Sequence, residues 1–286
     1  MQGLIIKAIS GEYTVISDDK QYVCKPRGTF RLNEQSPKVG DLVEFDVKTK
    51  TITAIHPRKN ELVRPVVANI DKVFLIFSVT EPDLNLNLLD RLISIVEYND
   101  IEIVIVFTKL DLLVDCREFD KISQYYQKIG YRVYETGIGI SLDLLKEEFP
   151  NHICVFAGQS GTGKSTLLNL FDPGFNLRTS EISYALNRGK HTTRHTELLP
   201  FNGGWIADTP GFGNIDFPFD DLLTYSHTFV DFFEKSNNCK YNRCIHLDEP
   251  HCWIKKLVDD GEILVTRYNN YRLFAEEIKE NIKNKY

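Results

Sequence analysis

One glycine-rich stretch decides the fold of this chain: Gly158-Gln159-Ser160-Gly161-Thr162-Gly163-Lys164-Ser165-Thr166. It follows an apolar run at 153–157 and precedes a helical pattern that begins at 167, the strand–loop–helix context of a phosphate loop, Gly-x-x-x-x-Gly-Lys-[Ser/Thr]. The glycines let consecutive backbone N–H groups surround a phosphate, while Lys164 is expected to reach the β- and γ-phosphates and Ser165 to bind Mg²⁺. The stretch therefore predicts a nucleoside triphosphate site formed by residues 158–166.

Of the 286 residues, 42% are hydrophobic and 26% are charged, which is the composition of an ordinary globular protein. Apolar runs stay well short of the roughly 20 residues that span a membrane, and the first residues lack the pattern of a signal peptide. We therefore expect a cytoplasmic protein that binds no membrane.

The net charge is −6, but residues 1–60 carry ten Lys and Arg against seven Asp and Glu. This local excess suits contact with RNA, although solvated surface charge explains it equally well.

Residues 1–62 are predicted to form a small β-barrel. Short runs with apolar/polar alternation, separated by Gly, Asp and Pro, lie at 3–9, 13–17, 21–25, 41–47 and 51–56. Such a set of strands without a helical pattern favours an OB-type barrel, which commonly presents a face and two loops to oligonucleotides. A barrel that only braces the next domain is the alternative.

Residues 63–218 are predicted to form an α/β domain with a mostly parallel sheet, and 219–286 a helical module. Apolar runs typical of buried parallel strands alternate with helical patterns, the runs lying at 72–79, 101–107, 131–134, 153–157 and 204–207. Because ligands of such domains bind at the carboxyl ends of the strands, the motifs that follow these runs are candidates for the site.

The first of these motifs is Thr108-Lys109-Leu110-Asp111, which resembles the guanine-binding Asn-Lys-x-Asp. The Asp111 carboxylate can accept the N1–H and the exocyclic N–H of guanine, which adenine does not offer, and the Lys109 stem is expected to pack along the base. Thr108 replaces the asparagine, so one amide is missing. A capped, solvated helix start is the alternative explanation of the motif, and an ATPase is an alternative activity that Asp111 disfavours.

The order of the motifs along the chain is as informative as their identity. Asp208-Thr209-Pro210-Gly211 matches Asp-x-x-Gly, in which Asp208 holds Mg²⁺ and Gly211 senses the γ-phosphate, although a Pro-Gly turn also fits. The guanine-type motif and a second candidate nucleotide loop, Thr136-Gly137, both precede the phosphate loop, whereas most G proteins have the phosphate loop first. The sequence therefore predicts a circularly permuted GTPase.

A cluster of soft ligands lies near the C-terminus. Three thiols and one imidazole in so short a segment suit a closed tetrahedral Zn²⁺ site, with the ligands Cys239, Cys244, His246 and Cys252. His251 is an alternative ligand to His246. A disulfide is disfavoured in a cytosolic chain, and reduced buried cysteines are the remaining alternative.

Together these motifs resemble the RsgA (YjeQ/YloQ) family of circularly permuted, ribosome small-subunit-dependent GTPases. The resemblance extends over the whole chain and includes Gly158–Thr166, Gly189-Lys190-His191-Thr192-Thr193, Asp208-Thr209-Pro210-Gly211-Phe212 and the cysteine/histidine cluster. It implies a late role in maturation of the 30S subunit, with GTP hydrolysis stimulated by the subunit and coupled to release, and with GTP, GDP, the subunit and its rRNA as partners of a monomer. A nucleotide-gated rRNA-binding module with incidental hydrolysis is the alternative.

The residue that assists hydrolysis is inferred from the loop around His191 and from the residue that follows Asp-x-x-Gly. Many G proteins place a glutamine directly after Asp-x-x-Gly, but here that position holds Phe212, which cannot orient water. The resemblance and the chemistry of imidazole favour His191, with His195 as the alternative. The family's loop motif implies that Thr193 approaches Mg²⁺ and the γ-phosphate, with Thr192 as the alternative.

Overall fold

A computed structural model of the chain describes residues 1–28, 30, 36–62, 66–171, 197–208 and 216–284. The backbone alone is described at Asp208. Within these ranges the structure contains no helix long and apolar enough to cross a membrane.

The N-terminal strands close into a barrel, as predicted. They pair in the order β1-β2-β3-β5-β4, and β4 pairs back onto β1, which is the closed topology of an OB-type barrel. Inward-facing apolar residues such as Val15, Val43 and Ile52 are completely buried. The strands are β1 (Gln2–Ile9), β2 (Glu12–Ser17), β3 (Lys20–Pro26), β4 (Leu42–Asp46) and β5 (Thr51–Ile55).

A short hairpin that the sequence did not predict joins the barrel to the next domain. Its strands are β6 (Glu61–Leu62) and β7 (Val67–Ala68). The junction is held by Arg58, whose guanidinium donates to both carboxylate oxygens of the buried Asp41, at 2.7 and 2.9 Å, and to Glu61 at 2.6 Å. These contacts fix the chain that leaves the barrel.

The α/β domain has the predicted parallel sheet with one antiparallel strand. Its strands lie in the order β10-β9-β8-β11-β13-β12, of which β12 alone is antiparallel to its neighbour β13. The strands are β8 (Lys72–Ser78), β9 (Glu102–Thr108), β10 (Arg132–Glu135), β11 (Ile153–Ala157), β12 (Glu197–Phe201) and β13 (Gly204–Asp208). Every residue of β8 and β11 is buried, because these strands lie in the middle of the sheet.

Helices cover this sheet at the positions that the apolar patterns indicate. They are α1 (Leu86–Tyr98), α2 (Arg117–Lys128), α3 (Asp143–Lys146) and α4 (Lys164–Phe171). The side chain of Asn85 accepts the backbone N–H of Leu88 at 2.9 Å and so caps α1. Leu89, Leu92 and Val96 then face the sheet and are buried.

The C-terminal module is helical, as predicted, and has its own aromatic core. It contains α5 (Leu222–His227), α6 (Val230–Lys235), α7 (Trp253–Asp259) and α8 (Val265–Asn284). Tyr225 stacks on Tyr271 with ring centroids 5.0 Å apart, and Phe229 and Phe232 pack against the same ring of α8. These four rings are fully buried, so the module has a hydrophobic interior separate from the sheet.

A buried ion network attaches this module to the α/β domain. Arg267 of α8, completely buried, donates to Asp231 of α6 at 2.7 Å and to Asp90 of α1 at 2.6 Å. The hydroxyl of Tyr125 on α2 donates to Asp231 at 2.6 Å, and that of Tyr126 to Asp90 at 2.7 Å. Since the partners come from both domains, the network fixes how the module sits on α1 and α2.

Candidate nucleotide and metal sites

The predicted phosphate loop lies between β11 and α4, at the carboxyl edge of the parallel sheet. Gly158 has φ 137° and a Cβ there would lie 2.1 Å from the carbonyl oxygen of Ile76 on β8, so only glycine fits. Gly161 and Gly163 also have positive φ angles, 81° and 88°. These backbone angles produce the tight turn that phosphate binding needs before the N-terminus of α4.

Lys164 fills the interior of this turn. Its ammonium donates to the carbonyl oxygen of Gly158 at 3.0 Å, to that of Gln159, and to the Thr162 hydroxyl at 3.4 Å. Burial lowers the pKa of Lys164 to about 8, because desolvation disfavours the charged ammonium. Among the described residues the hydrogen-bond partners of this ammonium are uncharged, and a phosphate would supply the opposite charge.

Thr108, at the end of β9, is tied directly to the phosphate loop. Its hydroxyl donates to the carbonyl oxygen of Thr162 at 2.5 Å and also approaches that of Phe77 at 3.4 Å. Thr108 and Thr162 are both buried. The residue that stands in place of asparagine therefore joins the guanine-type motif to the phosphate loop with its hydroxyl.

Asp111 and the Thr136-Gly137 loop come together, as the nucleotide hypothesis requires. The backbone N–H of Ile138 donates to Asp111 Oδ1 at 3.2 Å, and that of Leu110 donates to the Thr136 carbonyl at 3.2 Å. A Cβ at Gly137 would lie 2.8 Å from Asp111 Oδ1. The absence of a side chain at 137 thus permits the close contact that orients the Asp111 carboxylate.

The loop between β8 and α1 forms a further wall of the site, and the motif search missed it. The Lys109 ammonium donates to the Glu81 carbonyl, and the Ser78 hydroxyl donates to the Pro82 carbonyl at 2.7 Å. Pro82 Cδ also lies 3.6 Å from where a Cβ of Gly161 would be. The loop follows the strand beside β11, so the rule that ligands bind at carboxyl strand ends could have found it.

The predicted magnesium and hydrolysis residues are only partly within the described chain. Ser165 is buried in the first turn of α4. The backbone of Asp208 ends β13, which pairs in parallel with β11 and so reaches the same edge of the sheet. Residues 189–196, with His191, Thr192, Thr193 and His195, and residues 209–212 lie outside the described residues.

The four predicted metal ligands meet in one cluster. The ligand atoms of Cys239, Cys244, His246 and Cys252 all lie within 4.8 Å of one another. His246 Nδ1 is 3.4 Å from Cys252 Sγ and 3.7 Å from Cys239 Sγ, separations close to the edges of a tetrahedron with zinc–ligand bonds of about 2.0–2.3 Å. The cluster contains His246 and not the alternative His251, so its donor set fits a closed structural zinc site.

Two features prepare His246 for a metal. Burial lowers the pKa of the His246 imidazole to about 4, so the ring is neutral near pH 7 and has a free lone pair. The loop is also fastened to α8, because the Tyr268 hydroxyl donates to the His246 carbonyl at 2.8 Å and the Tyr271 hydroxyl donates to that of Ile245.

In this chain the phosphate loop follows the guanine-type loops, with a barrel before it and a cysteine/histidine module after it. This arrangement defines a circularly permuted GTPase. Residues 2–55 match the family model of the RsgA N-terminal domain, and residues 55–218 match that of the RsgA GTPase. The chain belongs to the RsgA GTPase family and is a GTPase.

Relatives resemble the chain over its full length. A protein of Halalkalibacterium halodurans named small ribosomal subunit biogenesis GTPase RsgA is 44% identical over 293 aligned residues, which cover 100% of this chain and 99% of the relative. A Bacillus subtilis protein of the same name is 45% identical, with 98% of each chain covered. Family membership thus rests on sequence along the entire chain.

Solved structures support the same family assignment. The crystal structure of YloQ, described as a circularly permuted GTPase, superposes with a TM-score of 0.81 at 40% identity and covers 98% of this chain and 95% of that one. The structure of YjeQ from Thermotoga maritima superposes with a TM-score of 0.84 at 34% identity, covering 97% and 98%. The predicted order of barrel, permuted domain and helical C-terminus is confirmed.

Proposed function

We propose that this chain hydrolyses GTP during biogenesis of the small ribosomal subunit. The observation that carries the proposal is the contact of Thr108 with Thr162, because it joins a guanine-type loop to a phosphate loop in one site. The names of the relatives supply the process, since they are small ribosomal subunit biogenesis GTPases. The subunit and its rRNA are accordingly the proposed partners, and the cytoplasm is the compartment where a monomer would meet them.

In the proposed complex, guanine lies between the loops that end β9 and β10. Asp111 accepts the N1–H and the exocyclic N–H, while Lys109 packs along the base. The phosphates lie against residues 158–166 and displace the Lys164 ammonium from its carbonyl partners. The interaction is favourable because the buried ammonium gains an anionic partner. Binding residues also include Thr108, Thr136 and Gly137.

We propose Ser165, Thr193 and Asp208 as the residues around Mg²⁺. Mg²⁺ would neutralise charge on the β- and γ-phosphates, and Lys164 would add a fixed positive charge. His191 is the proposed residue that orients the attacking water, with His195 as the alternative. Phe212 offers no polar group, so an imidazole from the preceding loop would take the role of orienting water that a glutamine has in many G proteins.

The zinc module is proposed to be structural. One Zn²⁺ held by Cys239, Cys244, His246 and Cys252 would close the loop that Tyr268 and Tyr271 fasten to α8. The proposed domain bounds are 1–62 for the barrel, 63–218 for the GTPase domain and 219–286 for this module. The β6–β7 hairpin spans the first boundary and links its two sides.

Sedimentation with purified small subunits tests the role in biogenesis. The chain is mixed with 30S subunits and either a non-hydrolysable GTP analogue, GDP or no nucleotide. If hydrolysis drives release, the chain should sediment with subunits in the triphosphate state and dissociate with GDP. Failure to bind subunits in every nucleotide state would contradict the proposal, and equal binding in all states would contradict the coupling to release.

A further inference from the structure

Three residues on neighbouring strands stand in register where the barrel meets the GTPase domain. Lys7 of β1 pairs with Glu197 of β12, and Glu197 pairs on its other side with Asp208 of β13. Both pairings are antiparallel, so the paired residues lie directly opposite each other. The backbone of Asp208, the proposed magnesium residue, is therefore paired with Glu197, and Glu197 is paired on its other side with Lys7 of the barrel.

Among the described residues, the junction between β1 and β12 contains one registered pair and an ion pair. Lys7 Nζ lies 2.7 Å from Glu197 Oε2, and the two side chains are 32% and 19% exposed. β1 pairs with β4 only from Gln2 to Leu4, and its register against β2 shifts between Ile5 and Lys7. Such an irregularity redirects a strand, and the part of β1 beyond it meets β12. In the part of the chain that the structure describes, a registered pair and an ion pair thus link β1 of the barrel to β12, the strand beside β13.

The zinc module attaches at a different place. It contacts the helices of the GTPase domain, through Arg267 and Asn270 to Asp90 on α1 and through Asp231 to Tyr125 on α2. The barrel is the module that extends the sheet through β12. A displacement of the barrel would therefore act on β12 and β13, whereas a displacement of the zinc module would act first on the helical layer.

We infer that Lys7 and Glu197 are positioning residues for subunit-stimulated hydrolysis. When the small subunit contacts the barrel, the ion pair transmits the barrel's position through β12 to the end of β13 at Asp208. Lys7 touches neither nucleotide nor Mg²⁺ in this account, so it acts on the stimulated rate and leaves basal hydrolysis unchanged. The inference rests on the proposed function, since it concerns how the subunit acts on the same site.

Charge reversal and its rescue test the inference. GTP hydrolysis by the full chain is measured without subunits and at saturating 30S subunits, for Lys7→Glu and for Lys7→Glu combined with Glu197→Lys. Lys7→Glu places like charges opposite each other and should lower the stimulated plateau about fivefold, the lower end of typical coupling between sites. The double variant restores opposite charges and should recover most of the stimulation.

A matched control separates this effect from the change in barrel charge. Lys25 on β3 forms an ion pair with Glu12 on β2, 3.4 Å apart, within the barrel. Lys25→Glu makes the same change in charge without altering the β1–β12 junction, so it should keep the full stimulated plateau. Basal hydrolysis at the level of the unsubstituted chain shows that each variant is folded.

The outcomes distinguish this inference from the function on which it rests. Equal stimulation of the unsubstituted chain and of Lys7→Glu would overturn the inference alone, as would a loss that Glu197→Lys fails to restore. An unsubstituted chain that subunits do not stimulate would overturn the stimulated-GTPase proposal itself, and the inference with it. A loss in Lys7→Glu, recovery in the double variant and no loss in Lys25→Glu would establish it.

Discussion

The hydroxyl of Thr108 donates a hydrogen bond to the carbonyl oxygen of Thr162, 2.5 Å away, and thereby links the guanine-type loop to the phosphate loop. Both residues are buried, so water does not readily replace this contact. The two loops are therefore connected even though the asparagine amide is missing. The guanine-type loop and the phosphate loop are thus structurally joined at one hydroxyl.

Thr108→Val should weaken GTP binding by about fivefold to tenfold, because it removes the donor and leaves the buried Thr162 carbonyl unpaired at a cost of roughly 1–1.5 kcal/mol. The valine has nearly the same shape, so the packing around it changes little. Equilibrium titration with a fluorescent GTP analogue measures the affinity. Thr108→Ser keeps the hydroxyl and serves as the control. Equal affinities of all three proteins would show that the contact does not support the site.

Gly137→Ala should reduce the preference for GTP over ATP. The added Cβ would lie 2.8 Å from Asp111 Oδ1 and 3.0 Å from the Asp111 nitrogen, so the Asp111 carboxylate, the proposed acceptor for guanine, must move. Competition of bound GTP by ATP measures the preference. Gly28→Ala is the matched control, because a Cβ at Gly28 meets nothing within 4 Å. Retention of full selectivity in Gly137→Ala would argue against the role of Asp111.

GTP affinity should fall as the pH rises through about 8, the pKa of Lys164 in the nucleotide-free chain. Desolvation lowers this pKa, so the ammonium is fully charged well below pH 8 and loses its proton above it. Bound phosphate favours the charged form, so binding takes up a proton and weakens by up to about tenfold per pH unit above the pKa. Binding titrations from about pH 7 to pH 9 follow this linkage. The same decline in Lys164→Ala would assign it to another group.

His246→Ala should abolish zinc binding, whereas His251→Ala should retain one zinc ion per chain. Only His246 belongs to the cluster, and its imidazole lies 3.4 Å from Cys252 Sγ. Elemental analysis of the purified variants measures the metal content. Loss of zinc should lower the melting temperature of the module but preserve GTP affinity, because the ligands lie outside the nucleotide loops. Zinc loss in His251→Ala with retention in His246→Ala would reverse the assignment.

The parts of the fold that follow local patterns could be predicted from the sequence. Buried strands such as β8 and β9 are continuous apolar runs, and the phosphate loop has a fixed spacing. β12 was not predicted, because it follows a polar segment and contains Pro200, which usually argues against a strand. The prediction consequently gave no indication that the barrel and the GTPase domain share one sheet.

Contacts between distant residues were beyond sequence patterns. Arg267, Asp90 and Asp231 look like surface charges when each is considered in its own segment, yet all three are completely or almost completely buried together. Only the packing of α8 against α1 and α6 shows that they neutralise one another. The cysteine/histidine cluster was predictable because its residue types are distinctive and close in sequence, whereas the contact of Lys109 with Glu81 depends on an irregular loop.

The rate of GTP hydrolysis with and without purified 30S subunits tests the central claim most directly. The account predicts a slow basal rate and a markedly higher rate with saturating subunits, because contact with the subunit would position the groups around Mg²⁺ and the attacking water. Lys164→Ala, which lacks the ammonium proposed to bind phosphate, should show neither rate. An unchanged rate on addition of subunits would contradict the account and favour a nucleotide-gated rRNA-binding module whose hydrolysis is incidental.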